Sequence, residues 1–495
     1  MSLYGSMNTA LSGMNAQARA LGHISDNVAN SQTIGFKRTD TNFVSYISES
    51  SLDVHRPGTV LARPDFTNQV QGNIEQVENP LAMAVSGQGF FTAAMPMNRN
   101  NDGSIVFDPR TFYTRAGDFN RDSGGYLVNG AGYALQGWPV TDGQVDKAQV
   151  APIRVLEDVF TPSATTELNF VGNLASGSTT AQSSSIPIID SLGNSRLMTL
   201  TFTPSATPTT DNTWTMSINA AEALTPALGS IKLAFGKDPV NWAANAAYAV
   251  GDRISANGQV YTATVAGTSA TTGAGPAVTS GTVTDGGVTW QHVRADDPSN
   301  PDGTLADIYG GTGTLSASAV GRDNPAIITF QADFGQGTQT LTLDLGKFGV
   351  AGGLTQFAKT GSSGLSVSSF SQDGIPLGAF SSVTTQKNGD VQVNYDNGQS
   401  RVVARVPVTL FKDPDKLEHL DGQAFLRTSE SGEARITGAG EDGAGLLNVR
   451  AVERANVDIA TEFSKLILAQ RAYSANTRMV TTVDELLQET LNLRR

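Results

Sequence analysis

From Ala455 to Arg495 the apolar side chains Ile459, Leu466, Tyr473, Val480 and Leu487 recur at every seventh position. A seven-residue apolar repeat keeps one seam of a helix turned toward a partner, so the spacing predicts a long C-terminal helix packed against another helix. Between the spine positions a second row sets the apolar Ala469 and Val483 among the polar Glu462, Asn476 and Thr490. A seam that is half polar does not hold an isolated helix dimer, so its partner must come from elsewhere. The other end of the chain offers one: Met7, Ala10, Met14, Leu21, Ile24 and Val28 follow spacings of three and four, with Gln17 at the single polar position. More than four hundred residues with strand-like alternation and glycine punctuation separate the two patterns. The chain is therefore read as multidomain and mainly β, with β-rich domains carried on a coiled-coil-like core of paired N- and C-terminal helices.

The turn chemistry marks where the β segments lie. Helical periodicity ends at Asn27-Val-Ala-Asn30-Ser-Gln-Thr-Ile-Gly35-Phe36-Lys37, where Asn and Gly interrupt it. Gly87 and Gly89 precede the aromatic pair Phe90 and Phe91, and Gly125 to Gly137 alternates as strand and turn, which predicts hairpins with glycine corners. Ile186 to Phe202 reads as two strands joined across Asp190-Ser-Leu-Gly193-Asn194.

These stretches, in this order, resemble the axial proteins of the bacterial flagellum, the family of rod, hook and hook-associated proteins. The resemblance rests on Leu11-Ser12-Gly13, on the Asn27 to Lys37 turn, and on Leu81 to Phe91. It continues in Tyr113-Thr-Arg115-Ala-Gly117-Asp-Phe119 running into Gly125 to Gly130, in Ala455 to Asp458, and in Ala469 to Asn476 with Leu491 to Arg494. The Asp190 to Asn194 turn is similar to the hairpin that opens the outer domain of hook subunits, and it favours hook over rod.

The resemblance implies a structural subunit that self-assembles into a short curved tube, which links the rod to the filament and transmits torque. The implied partners are further copies of the chain, the rod, cap and hook–filament junction proteins, and the flagellar export apparatus. On this reading Met7, Met14, Leu21, Ile24, Val28 and the Ile459 spine form the assembly seams, and Asn27, Asn30, Gly35, Phe36, Gly87, Gly89, Phe90 and Phe91 are family motif positions. The expected domains are 1–30 with 455–495 (helical core), 31–70 (connecting segment), 71–150 with 365–454 (inner β domain), and 151–239 with 296–364 (outer β domain). Residues 240–295 look like a small inserted β module, flanked by the turn-like Gly236 and Asp297-Pro298. A distal rod or other hook-like axial protein is the alternative within the family. A secreted glycan-binding adhesin is the alternative outside it, because Trp242, Tyr248, Tyr261 and Trp290 of the module could stack on sugar rings, although in so small a module they more often form the core.

Charge and composition narrow the function further. The 495 residues carry a formal net charge of -13 but are only 16% charged, which argues against nucleic acid or an anionic membrane as partner. Residues 1–30 hold only Arg19 and Asp26 as charged residues, and residues 455–495 hold five acidic and five basic side chains, so both terminal segments are neutral. The chain has no cysteine, which excludes thiol catalysis and cysteine-held zinc. No apolar run is long enough to span a membrane, and the first residues lack the basic start and apolar stretch of a cleavable signal, so export is expected to leave the chain uncleaved.

Candidate chemistry is weak throughout. Gly438-Ala-Gly440-Glu441-Asp442-Gly443 has dinucleotide-loop spacing but places carboxylates where phosphate would lie. Asp118 to Asp122 begins like a calcium loop and then departs from it at Ser123 and Asn129. The four histidines lie in unrelated segments. No cofactor, metal or catalytic constellation is expected, and the chain is not read as an enzyme.

Overall fold

The computed structural model describes residues 3–50, 55–100, 105–141, 143–205, 212–236, 239–296, 299–358 and 364–492. The chain divides into two units, Met1–Asp158 with Phe380–Arg495 and Val159–Ala379.

The first unit holds both predicted helices, α1 (Leu3–Ala29) and α2 (Ile459–Asn492). Asp458 caps α2, its Oδ1 accepting the Thr461 amide at 2.7 Å, as an N-cap aspartate does. Residues 31–70, expected to be a connecting segment, instead contain a long antiparallel hairpin of β1 (Thr39–Ser50) and β2 (His55–Phe66). The hairpin lies along α1: Thr9 Oγ1 donates to Gly58 O at 3.0 Å, and the Val60 amide donates to Ser12 Oγ at 3.1 Å.

The β domain of this unit interleaves strands from both halves of the chain. Ala134–Thr141 pairs with Phe91–Ala94 on one side and with Ser400–Arg405 on the other, and Phe112–Thr114 pairs with Ala424–Leu426. Strand pairing moves both expected boundaries toward the C-terminus. Ala151–Pro152 pairs with Gln136 and Gly137 and so stays in the first unit, whereas Ser366–Gln372 pairs with Glu167–Asn173 and so belongs to the second. Hydrogen-bond register decides this, and a change of composition does not report it.

The second unit is a sandwich. Its five-stranded sheet runs Gln182–Ile189, Ser195–Pro204, Thr213–Ala220, Ala227–Phe235, Leu305–Tyr309. A six-stranded sheet containing Pro325–Asp333 and Thr338–Lys347 shares its core. Alternate residues point inward, Trp214, Met216, Ile218 and Ala220 from one sheet and Ile328, Phe330 and Ala332 from the other, the period of two that a half-buried strand requires. The Asp190 to Asn194 turn forms as the sequence predicts: Asp190 Oδ1 accepts the Leu192 and Asn194 amides at 3.0 and 2.8 Å.

Residues 240–295 carry a four-stranded sheet of their own, in the order Arg253–Ala256, Gln259–Val265, Val288–Ala295, Thr282–Asp285. Tyr261 and Trp290 are fully buried in its core, with Trp242 and Tyr248 packed against them. This corrects the sugar-stacking alternative: Tyr261 and Trp290 have no exposed ring face. Trp242 Nε1 is taken by Asp285 Oδ2 at 2.6 Å, and the Tyr248 ring meets Trp290 edge-on at 4.9 Å.

The chain leaves the sandwich for the module and returns at adjacent points, with Asn300 Nδ2 donating to Gly236 O at 2.8 Å. Gly236 lies in a turn, and Asp297-Pro298 fall outside the described residues. The module is also tied to the sandwich strand Leu305–Tyr309: Arg253 pairs with the buried Asp307 and its guanidinium stacks 3.8 Å from the Tyr309 ring centre. Closely spaced ends make an insertion removable, and removal also returns Asp307 and Tyr309 to water. Replacing residues 240–295 by a short glycine linker should leave one cooperative unfolding transition reported by the buried Trp214, with a melting temperature within a few degrees of the full chain.

Candidate functional site

The two helices run antiparallel. Asn27 Nδ2 lies 3.1 Å from Glu462 Oε2, and a Cβ placed on Gly13 would stand 3.0 Å from Asn476 Nδ2. The tight contact within one chain is therefore made by small and polar residues seven apart, Gly13, Ala20 and Asn27 on α1 and Glu462, Ala469, Asn476 and Val483 on α2. Of these Ala20, Asn27, Glu462, Ala469 and Val483 are fully buried.

The bulky row predicted as the α2 spine sits beside this contact. Leu466, Val480 and Leu487 are half-buried, and Ile459 and Tyr473 are exposed. On α1, Ile24 is buried, and Met7, Met14, Leu21 and Val28 are half-buried. The physical reason is distance: small side chains allow close helix approach, and large ones are pushed to the flanks. The result is an α2 surface on which Ile459, Phe463, Ile467, Leu468, Met479 and Leu486 are 41 to 66% exposed.

Polar clamps fix the register of this pair. Asn27 accepts the Thr39 amide at 2.9 Å and donates to Thr39 O at 3.0 Å, so one side chain joins α1, the start of β1 and Glu462. Lys465 Nζ then bridges Glu462 Oε1 at 2.8 Å and Asp40 Oδ1 at 2.6 Å. Asn456 accepts the Arg38 amide at 2.7 Å and donates to Val70 O at 3.1 Å, holding the approach to α2 against the flanks of the hairpin.

Just before α2, Glu453 is completely buried, and so are its two cationic partners. Lys37 Nζ lies 2.6 Å from Oε1 and Arg115 Nη1 lies 3.0 Å from Oε2, while the Gly72 amide donates to Oε1 at 2.8 Å. Arg115 also donates to Val85 O at 3.1 Å and Gly87 O at 2.8 Å, and its guanidinium stands 5.2 Å from the Phe90 ring centre. Lys37 donates to Val70 O at 2.7 Å.

Two motif stretches distant in sequence thus meet on one carboxylate, and Arg115 ties a third, Leu81 to Phe91, to them through Val85 O and Gly87 O. Gly35 donates its amide to Glu453 O at 2.8 Å in a left-handed conformation (φ +72°), and a Cβ there would fall 2.4 Å from Ala116 N. Asn30 closes α1, donating to Asp26 O at 3.0 Å and accepting from Thr33 Oγ1 at 3.2 Å. Phe36 is half-buried beside the joint; Gly89 packs against Val408; Phe91 is buried edge-on to Phe119, ring centres 5.5 Å apart.

The other candidate sites are structural turns. Asp118 Oδ2 accepts the Gly130 amide at 3.0 Å and Asp122 Oδ1 accepts the Tyr126 amide at 2.7 Å, so both carboxylates serve backbone groups. The Glu441 carboxylate folds over Gly438, filling the position a phosphate would need.

Family models match along the chain in the order of these elements. The flagella basal body rod protein family matches residues 7–37, and the flagellar hook protein FlgE/F/G D1 domain matches 84–170. The flagellar basal body protein FlaE D2 domain matches 161–375, and the flagellar basal body rod FlgEFG protein C-terminal family matches 449–493. The chain belongs to the flagellar hook protein family.

Relatives over the full length include the flagellar hook protein FlgE of Caulobacter vibrioides, 28% identical with 100% of both chains covered, and that of Brucella abortus, also 28% identical with 100% of both covered. The Salmonella typhimurium flagellar hook protein FlgE is 26% identical over 99% of this chain and 100% of its own. A solved Helicobacter pylori flagellar hook protein FlgE2 is 16% identical, with a TM-score of 0.33 over 77% of this chain and 100% of that one, too slight a likeness to carry any of the geometry above. In this hook-family chain the Glu453 joint was not visible in the sequence as a site. Lys37 and Arg115 stood inside motifs that read as turns, and Glu453 stood in no motif.

The joint has a definite electrostatic sign. Burial alone would push the Glu453 carboxyl up, but Arg115 and Lys37 outweigh burial and hold it below its ordinary range. Burial pulls Lys37 down to about 8 against the attraction of Glu453. Glu453→Gln leaves two cations buried without a counter-charge and should cost about 3–5 kcal/mol in denaturant unfolding at neutral pH. Lys37→Met leaves the Arg115–Glu453 pair balanced and should cost much less.

The pH dependence follows from the same shifts. The stability Glu453 contributes is present above its ordinary value of 4.5 and is lost as pH falls through the lower folded value. Lys37 binds fewer protons folded than unfolded between about 8 and its ordinary 10.5, so its contribution rises with pH across that window, and Lys37→Met should remove the rise.

Proposed function

We propose that this chain is a structural subunit that polymerises with copies of itself into the flagellar hook, the flexible curved tube that carries torque from the rod to the filament. The observation that carries the reading is the exposed apolar surface of α2. Ile459, Phe463 and Ile467, four residues apart on one side of the helix, face water in one chain although the helix pair is already closed by its small and polar seam. Contiguous apolar surface of this kind marks an interaction site. The terminal segments that bear it are electrically neutral, so copies can crowd together without repulsion.

Rod, cap and hook–filament junction proteins would meet the two ends of such a tube. The subunit would reach the outside of the cell through the flagellar export apparatus without cleavage. The β sandwich and its module would form the outer part, where contacts must slide as the tube bends. The adhesin alternative loses its support with the burial of Tyr261 and Trp290.

Phe463→Asp tests the reading, because Phe463 is 50% exposed. The variant should unfold within about 0.5 kcal/mol of the parent, as surface substitutions do. It should fail to form sedimentable tubes under conditions in which the parent forms them. Normal tubes from the variant would remove the apolar flank of α2 from the assembly contact.

A further inference from the structure

One histidine, His419, stands in an apolar setting away from the Glu453 joint. It lies in the short strand Glu418–Leu420, at one edge of the largest sheet, opposite Phe425 of Ala424–Leu426. Its ring sits between two others. It stacks on Phe66, the last residue of β2, with ring centres 4.2 Å apart, and meets Phe425 edge-on at 4.9 Å. Its Nε2 is buried and makes no hydrogen bond among the described residues. The chain just beyond Phe66 is held to the same stretch of the β domain. Asn68, fully buried, donates Nδ2 to Pro414 O at 2.9 Å, and Gln69 donates its amide and its Nε2 to the two carboxylate oxygens of Asp415 at 3.2 and 3.0 Å. The ring stack and these bonds seat the root of the hairpin, whose body lies along α1, on the β domain.

We propose that His419 is an acid-opened latch, which holds the end of β2 against the β domain while its ring is neutral and releases it when the ring takes up a proton. No charge near the ring answers a cation there. Its neighbour Glu418 occupies the alternate strand position and is attracted to Arg110 on the other face. From β2, Asp65 and Arg63 are exposed, and Arg63 donates to Tyr46 Oη at 3.0 Å. Asp415 serves Gln69, while Lys416 and Asp421 are exposed. Beyond Phe425, Arg427 pairs with Glu433. The face of Phe66 would attract an imidazolium, so the sign rests on the unanswered Nε2, which water can satisfy only in the open form.

Burial pulls the His419 imidazole from its ordinary 6.5 down to about 4. Once the root lifts, the ring meets water and titrates at its ordinary value. Below 6.5 the open form therefore takes up a proton that the closed form refuses, and each further step of one pH unit favours the open form about tenfold until the closed form titrates too. Between pH 7.5 and 5 the ratio of open to closed should rise about 30-fold, in a window above the ordinary titration of the carboxylates. The latch is thus fully shut at neutral pH and loosens as pH falls.

Deuterium exchange of the full chain, corrected for the intrinsic pH dependence of exchange, reads the opening at residues 67–70. In the parent, protection there should fall about 30-fold between pH 7.5 and 5. In His419→Phe, which keeps a ring in place but cannot take a proton, it should stay constant, and His419→Leu serves if that variant does not fold. The His419 imidazole resonance, assigned by its loss in either variant, should titrate near 4 in the parent and near 6.5 in Phe66→Ala, where one side of the ring is uncovered. Protection that is constant in the parent, or that falls equally without the histidine, would overturn the proposal. A parent His419 that titrates at or above 6.5 would overturn it too, by showing that the attraction of the Phe66 face outweighs burial.

Discussion

The carboxylate of Glu453 is the point on which the first unit depends. It lies six residues before the start of α2, it is fully buried, and it is neutralised by a lysine that follows α1 and an arginine from the β domain. A buried charge is tolerated only with its partners in place. The α1 exit, the α2 entry and the strands around Phe90 must therefore be positioned together or not at all. The glycines of the neighbouring motifs let the backbone come close enough for this to happen, most plainly Gly35, where a side chain would collide with Ala116. Both termini are thereby fixed to one β domain by a joint that does not rely on the large apolar residues of the helices.

That division of labour leaves the helices free for another purpose. Within the chain they are registered by Gly13, Ala20 and Asn27 against Asn476, Ala469 and Glu462, small and polar residues that pack closely and hydrogen-bond. The bulky residues, which a self-sufficient helix pair would bury, are displaced to the flanks. The arrangement costs the single chain hydrophobic stabilisation and leaves it with exposed apolar surface, a cost that burial between copies would offset. The second unit follows the opposite logic: its sandwich buries Trp214, Phe202, Phe235 and Phe330 completely, and its module does the same with Tyr261 and Trp290.

Much of this was legible from the sequence because it is local. The seven-residue repeat announced both helices, period-two alternation announced the sandwich strands, and the Asp190 to Asn194 turn declared its hairpin, since each depends on side chains a few residues apart. The sequence also showed that the terminal segments are neutral and that the largest helical patterns stand at the two ends of the chain.

Tertiary structure decided what depends on residues hundreds of positions apart. Which of two interleaved heptads faces α1 was settled by the distance at which two helices can pack, and that favoured Gly13 and Ala469 over Leu466 and Tyr473. The hairpin at 39–66 emerged because α1 gives it a surface to lie on. Residues 366–372 joined the second unit because Glu167–Asn173 offered them a hydrogen-bonding edge. Glu453, separated from Lys37 by more than four hundred positions, carries no mark in the sequence that it is the centre of anything. A buried ion cluster is specified by where its members meet, and only the folded chain brings them to one place.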